Sequence, residues 1–278
     1  MTELRDFAWR VVTTDSIDEK LAPPPGDLTD EHPALEPGTP LPEAPGRPPE
    51  LQIVPVEAAR VPALPGMNDD WQRGRIIHAF ANHELQAAEL FALALLAFPD
   101  APPAFRRGLL RVLQDEQFHT TLYIRRLGRM GLRFGEYPVS GYFWNKTGRM
   151  TTPAAFVSAM SLTFENANLD HTLEYAAAAR AAGDEETAAL LDRVHGDEIN
   201  HVRFGWTWLE RFREDPSQSM WDAWNANIDW PLRAARARGQ VVHHEPRRAA
   251  GMSDEFIRQL ETAGPDDATD APPRKRRD

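Results

Sequence analysis

No cysteine occurs anywhere in the sequence. That excludes disulfides, thiolate-bound zinc and iron–sulfur centres, and it suits a reducing compartment. Basic residues run short: 31 lysines and arginines face 42 aspartates and glutamates, a formal charge of −11. Phosphate binding needs a basic face, so nucleic acid is not an expected partner. The one basic run, Arg274-Lys275-Arg276-Arg277, lies on a Pro- and Asp-containing tail and reads as solvated. Long apolar runs are missing too. The longest, Leu90 to Phe98, falls well short of the roughly 20 residues that cross a bilayer, so no membrane partner is expected. The opening, Met1 to Asp6, lacks the basic-then-apolar order of a secretory signal. A soluble, cytoplasmic protein is the expectation.

What is present begins with proline. Residues 1–66 hold more than half of the 24 prolines, a density that excludes helix interior and central strand. Leu4 to Val12 reads as one short helix. Beyond Lys20 the segment is either a disordered leader or an extended arm lying on the domain. The interspersed Leu51, Ile53, Val54 and Val56 favour the arm.

From Asn68 the pattern turns helical. Ile77, Phe80, Glu84, Ala87, Phe91 and Leu95 fall at steps of three and four, one stripe along a helix that ends at Phe98. A second helix carries Phe105, Leu109, Val112, Glu116, His119, Tyr123 and Leu127, ending near Gly131. Leu132 to Met150 has no helical period. Thr152 before Pro153 starts a third helix, with a capping hydroxyl and proline at the first helical position. It runs to about Ala181, with Leu162, Glu165, Leu169, Thr172 and Ala176 in line. Gly183 stops it and Asp184 caps a fourth, striped by Leu191, Val194, Glu198, His201, Val202, Gly205 and Leu209. Shorter helices are expected at Met220 to Ile228, Leu232 to Arg238 and Ser253 to Leu260, in a region bearing Trp221, Trp224 and Trp230. Two hairpins joined by a long connection make an all-α chain, a four-helix bundle with one long crossover. The expected division is a proline-rich arm over 1–66, the bundle over 67–213, and short C-terminal helices with a basic tail over 214–278.

Two stretches repeat each other. Asp115-Glu116-Gln117-Phe118-His119 and Asp197-Glu198-Ile199-Asn200-His201 each put a glutamate and a histidine three residues apart, on one helical face. Glu84 precedes Glu116 by 32 residues, and Glu165 precedes Glu198 by 33. One Glu on each of two helices and Glu-x-x-His on the other two is the ligand pattern of a carboxylate-bridged two-metal site in a bundle core. Counted from Ala101 and Gly183, the four glutamates lie 15 to 18 residues from their turns. At about 1.5 Å per residue they share a level roughly 22 to 27 Å along the hairpins. Alone, a Glu-x-x-His is usually a surface pair or a satisfied core histidine. Ionised groups on apolar stripes are another matter, because they are rarely buried unless paired or metal-bound. Four anions in one layer would also repel one another. Two divalent cations balance four carboxylates, and two imidazoles complete the set.

The metal candidates are therefore Glu84, Glu116, His119, Glu165, Glu198 and His201, with Glu116 and Glu198 as bridges. Asp115 and Asp197 are expected to accept the free N–H of a ligating histidine. His195, one turn before Glu198, reads as a neighbour of the ligands or a seventh ligand. Glu89, off the stripe, is expected at the surface or behind the ligands. Tyr123 reads as a packed core residue, and His78, His83 and His171 carry ordinary structural readings. Ser161, Asn168 and Thr172 are small and polar, leaving room for a substrate or an oxygen path.

The stretches Ala81-Asn82-His83-Glu84-Leu85-Gln86-Ala87-Ala88-Glu89-Leu90, Asp115-Glu116-x-x-His119, Phe164-Glu165-Asn166-Ala167-Asn168-Leu169-Asp170 and Asp197-Glu198-x-x-His201-Val202 resemble the ferritin-like superfamily of di-iron carboxylate proteins. Within it they are similar to the uncharacterised bacterial domain of unknown function family 455. The resemblance reaches back to Asp18-Glu19-Lys20-Leu21, which favours an ordered arm. It implies the ferritin-like fold and a two-metal centre, and no particular substrate.

Oxygen and imidazole ligands suit two iron ions, with manganese as the alternative. The expected function is a non-haem di-iron or dimanganese oxidase or oxygenase. Its partners would be dioxygen, a small organic substrate and an electron-donor protein, with a homodimer as the expected assembly. The rival is an iron-binding ferroxidase or storage protein without an organic substrate.

Overall fold

The computed structural model describes residues 2–228 and 232–264. Trp230, the basic run 274–277 and the last dozen residues lie outside them. The described chain is predominantly helical, with two small two-stranded pairings, and none of its helices is long and apolar enough to cross a membrane. It divides into two compact units, residues 1–151 with 175–190, and 152–174 with 191–278.

In the first unit the proline-rich segment is built into the fold. Helix α1 (Leu4–Thr13) buries Leu4, Phe7, Ala8, Val11 and Val12, an i, i+3, i+4 face that packs on α3 (Asp70–Ala97). A single turn, α2 (Ile17–Lys20), is capped by Ser16. Strand β1 (Thr2–Glu3) pairs in parallel with β2 (Leu28–Thr29), and β3 (Ile53–Val54) with β4 (Val139–Ser140). Extended backbone finds its hydrogen bonds in these short pairings without a regular element of its own.

Helix α3 starts where Asp69 accepts from the Gln72 amide at 2.8 Å. After five intervening residues Pro103 opens α4 (Pro103–Arg129), which packs along α3. Arg106, nearly fully buried, donates to Leu95 O and Phe98 O at the end of α3 and clasps Asp30 of the arm at 2.7 and 2.8 Å. One guanidinium thereby satisfies the open helix end and ties the arm to it. At the junction of α6 (Asn166–Ala181) and α7 (Glu185–Phe212), Gly183 takes φ +79°, and the Asp184 amide bonds back to Ala179 O at 2.9 Å. Asp184 then caps α7 through the Thr187 amide.

In the second unit Thr152 caps α5 (Pro153–Ala159), as the sequence indicates. The expected straight helix to Ala181 is interrupted, however. Met160–Glu165 is a π-helical segment, and only after it does α6 begin. Helices α8 (Met220–Ala226), α9 (His244–Ala249) and α10 (Asp254–Thr262) follow. The piece expected at 232–238 is reduced to a 3-10 turn, Ala234–Arg236, and α9, too short for a periodic signal, was not anticipated. The C-terminal segment is fastened to α6 by Asp170. It accepts two bonds from Arg247, at 2.7 and 2.8 Å, and further bonds from the Gly239 and His243 amides.

Candidate metal centre

In the first unit, α3 carries Glu84 on its buried face while α4 presents Glu116 and His119 one turn apart. His119 Nδ1 lies 3.5 Å from Glu84 Oε2 and 3.8 Å from Glu116 Oε2. One ligand atom of each residue lies within 4.8 Å of the other two. All three side chains are buried. Burial first, and then the facing Glu116, push the Glu84 carboxyl well above the usual carboxylate range, with His119 opposing.

The second unit repeats the arrangement. Glu165 closes the π-helical segment, and α7 presents Glu198 and His201. His201 Nδ1 lies 3.4 Å from Glu198 Oε2 and 4.0 Å from Glu165 Oε1, and again one ligand atom of each falls within 4.8 Å of the others. Asn168 Nδ2 donates to Glu198 Oε1 at 3.0 Å, steadying the carboxylate and leaving Oε2 toward the imidazole. All three residues are buried here as well.

Among the described residues the other buried carboxylates meet a cation. Glu89 pairs with Lys20 and Arg47, Asp170 with Arg247, and Asp184 with Arg126. Burial pushes the Asp170 carboxyl up, yet Arg247 and the His243 and Gly239 amides hold it below its ordinary value. Among the described residues neither Glu84 nor Glu198 is ion-paired with lysine or arginine. Each triad thus offers two carboxylates and an imidazole in a dry setting, a hard oxygen-and-nitrogen donor set. These residues fit a divalent cation.

The remaining candidates separate. Asp115 is half-buried, and Asp197 pairs with Arg193 at 3.0 Å along its own helix. His195 Nδ1 meets Thr172 Oγ1 at 2.9 Å, and burial holds its pKa below the ordinary value. Thr172 also donates to Asn168 O at 2.5 Å. Asn168 and Thr172 are engaged in hydrogen bonds, and Ser161 abuts Gly205. Tyr123 is packed edge-on against Phe80, with 5.9 Å between ring centroids. His78 is buried between Phe134 and Tyr137 and accepts the Gly135 amide at 2.9 Å, while His171 sits beside Glu174 at 3.5 Å. His83 lies among Phe80 and Phe143.

Glu89 corrects the expectation of a surface position. It is fully buried and holds the arm: Arg47 donates to Oε1 and Oε2 at 3.0 and 2.7 Å, and Lys20 Nζ stands 3.3 Å away. Its helical angle pointed away from the stripe, and only the folded arm covers that side. The sequence signal that could have revealed it is the pair of isolated basic residues, Lys20 and Arg47, in an acidic and proline-rich segment.

A family model described as "Protein of unknown function (DUF455)" matches residues 9–258. No curated protein and no solved structure matches the chain.

Proposed function

The chain belongs to the DUF455 family, and we propose that it is a ferritin-like two-metal oxidase or oxygenase acting on a small organic substrate. In this reading Glu84, Glu116 and His119 hold one ion, and Glu165, Glu198 and His201 hold the other. The four helices bearing them form the ferritin-like bundle, residues 67–213, flanked by the arm and the C-terminal helices. Iron is the metal of choice and manganese the alternative, since both accept carboxylate and imidazole ligands.

The observation that carries the reading is the repeated, buried triad of two carboxylates and an imidazole with ligand atoms within 4.8 Å of one another. Burying a carboxylate without a counter-charge is costly, and removing one partner of a buried pair costs about 3–5 kcal/mol. Among the described residues Glu84 and Glu198 each have an imidazole beside them and no lysine or arginine, whereas Glu89 and Asp170 have guanidinium partners. Bound as a ferrous pair, the metals would supply the electrons that reduce dioxygen. The chain's own residues do the rest. The imidazoles of His119 and His201 serve as neutral donors, Asn168 orients Glu198, and the burial of all six ligand side chains keeps bulk water out. An electron-donor protein would restore the reduced state.

The test is anaerobic loading with Fe(II), a count of metal per chain, and exposure to oxygen under an optical spectrometer. Two irons per chain and an oxygen-dependent absorption change are expected. Iron bound without any reaction toward oxygen would overturn the oxidase, and no iron bound would overturn the centre.

A further inference from the structure

Glu165 does not stand on a regular helix. It ends the segment Met160–Glu165, in which hydrogen bonds run i→i+5 in place of i→i+4. A widened turn of this kind is uncommon and persists where its surroundings hold it. Here Thr163 Oγ1 donates to Ser158 O at 2.7 Å, across the same five-residue span. Trp224 Nε1, from α8, donates to that carbonyl at 3.1 Å and reaches Thr163 Oγ1 at 3.3 Å. The indole is fully buried, packed against Trp221 and Phe256 at ring distances of 5.3 and 5.4 Å, so its N–H has a fixed aim.

We propose that Thr163 and Trp224 are positioning residues for the metal held by Glu165, Glu198 and His201. Together they clamp the Ser158 carbonyl, hold the i→i+5 register and so set the height and direction of the Glu165 carboxylate, two residues beyond Thr163. The first triad has no such device, because Glu84 lies within the unbroken helix α3. The clamp therefore acts on one of the two ions. This inference rests on the metal reading above and adds to it an asymmetry between the two sites, maintained by a tryptophan outside the four ligand-bearing helices.

Stepwise Mn(II) binding to the full chain, followed by the electron paramagnetic resonance signal of the free ion, tests it. Three variants are compared: Thr163→Val, which removes the hydroxyl, Trp224→Phe, which removes the N–H, and Thr163→Ser, which keeps the hydroxyl. Removing groups that hold a ligand in place costs about 10- to 100-fold in metal affinity. That loss is expected at one of two sites in Thr163→Val and Trp224→Phe, with the other site unchanged and Thr163→Ser equal to wild type. Hydrogen exchange of the metal-free variants should show lost protection at 158–165. Folded variants that bind two ions with wild-type affinity overturn the clamp and leave the metal reading standing. Equal weakening of both sites, or a failure of both variants to fold, reduces Trp224 to a core residue and overturns its positioning role. A wild-type chain that binds no Mn(II) removes the metal reading itself, and the clamp's purpose with it.

Discussion

Replacing Glu89 by glutamine should detach the N-terminal arm. Lys20 and Arg47 both converge on this carboxylate with essentially no exposure on any of the three side chains. Arg47 also donates to Asn82 Oδ1 at 2.8 Å, and Lys20 Nζ to Val11 O and Val12 O at 2.5 and 3.2 Å. Glutamine keeps one acceptor but turns an amide toward Arg47 Nη2, donor against donor, and leaves two cations without an anion. Breaking a buried pair in this way costs about 3–5 kcal/mol, a large part of the 5–15 kcal/mol that holds a typical domain. Lys20→Met is the informative control. It leaves Arg47 and Glu89 as a neutral bidentate pair and removes an ammonium whose pKa is lowered mainly by desolvation. Its cost is then chiefly the lost bond to Val11 O, about 1–3 kcal/mol, since Val12 O keeps the Gly46 amide at 2.8 Å. Urea unfolding should rank Glu89→Gln as the more destabilised, and hydrogen exchange should show α1 and α2 opening first. A loss below about 1 kcal/mol in Glu89→Gln, or a greater loss in Lys20→Met, would refute the reasoning.

Two further outcomes follow from the packing. His78 is held neutral: burial lowers its pKa to about 4, and its Nε2 accepts the Gly135 amide. Between about pH 6.5 and 4 the unfolded chain binds the extra proton, so this contribution is complete above pH 6.5 and is lost as pH falls toward 4. The shift corresponds to about 3 kcal/mol. Urea midpoints should therefore fall more steeply over that interval in the wild type than in His78→Gln, and parallel slopes would count against it. Gly205→Ala should lower the melting temperature, since the new Cβ would lie 2.3 Å from Ser161 Cβ and 3.3 Å from Leu162 Cγ. Overpacking of this kind costs about 1–3 kcal/mol. Ser161→Gly in the same chain should restore part of the loss while Ser161→Ala should not, because the clash is with Cβ and not the hydroxyl.

The long helices were legible because their stripes and their stops agree. Thr152, Gly183 and Asp184 act where capping and turn chemistry put them, and α3, α4 and α7 bury the stripes read from spacing. The π-helical segment was not legible. Leu162, Glu165 and Leu169 keep an α-like period through it, and what widens the turn is a hydrogen bond from Trp224, about sixty residues downstream. The arm was half legible: its apolar residues suggested contact, but proline density carries no information about partners. Its anchors are single side chains, Lys20, Asp30 and Arg47, which no local period reveals.

The same limit governs the candidate site. Periodicity says which carboxylates are buried and is silent on what each one meets. Glu84 and Glu89 lie five residues apart on one helix, and both are buried. Glu89 is met by two cations from a segment about forty and seventy residues upstream, so its charge is answered by the protein itself. Glu84 is met by a second carboxylate and an imidazole, so its charge is not answered. The stripe thus pointed to the burial of Glu84, Glu116, Glu165 and Glu198 and missed that of Glu89. A reading of a metal site from sequence gains most from locating isolated lysines and arginines in distant segments, because each one can answer the charge of a buried carboxylate.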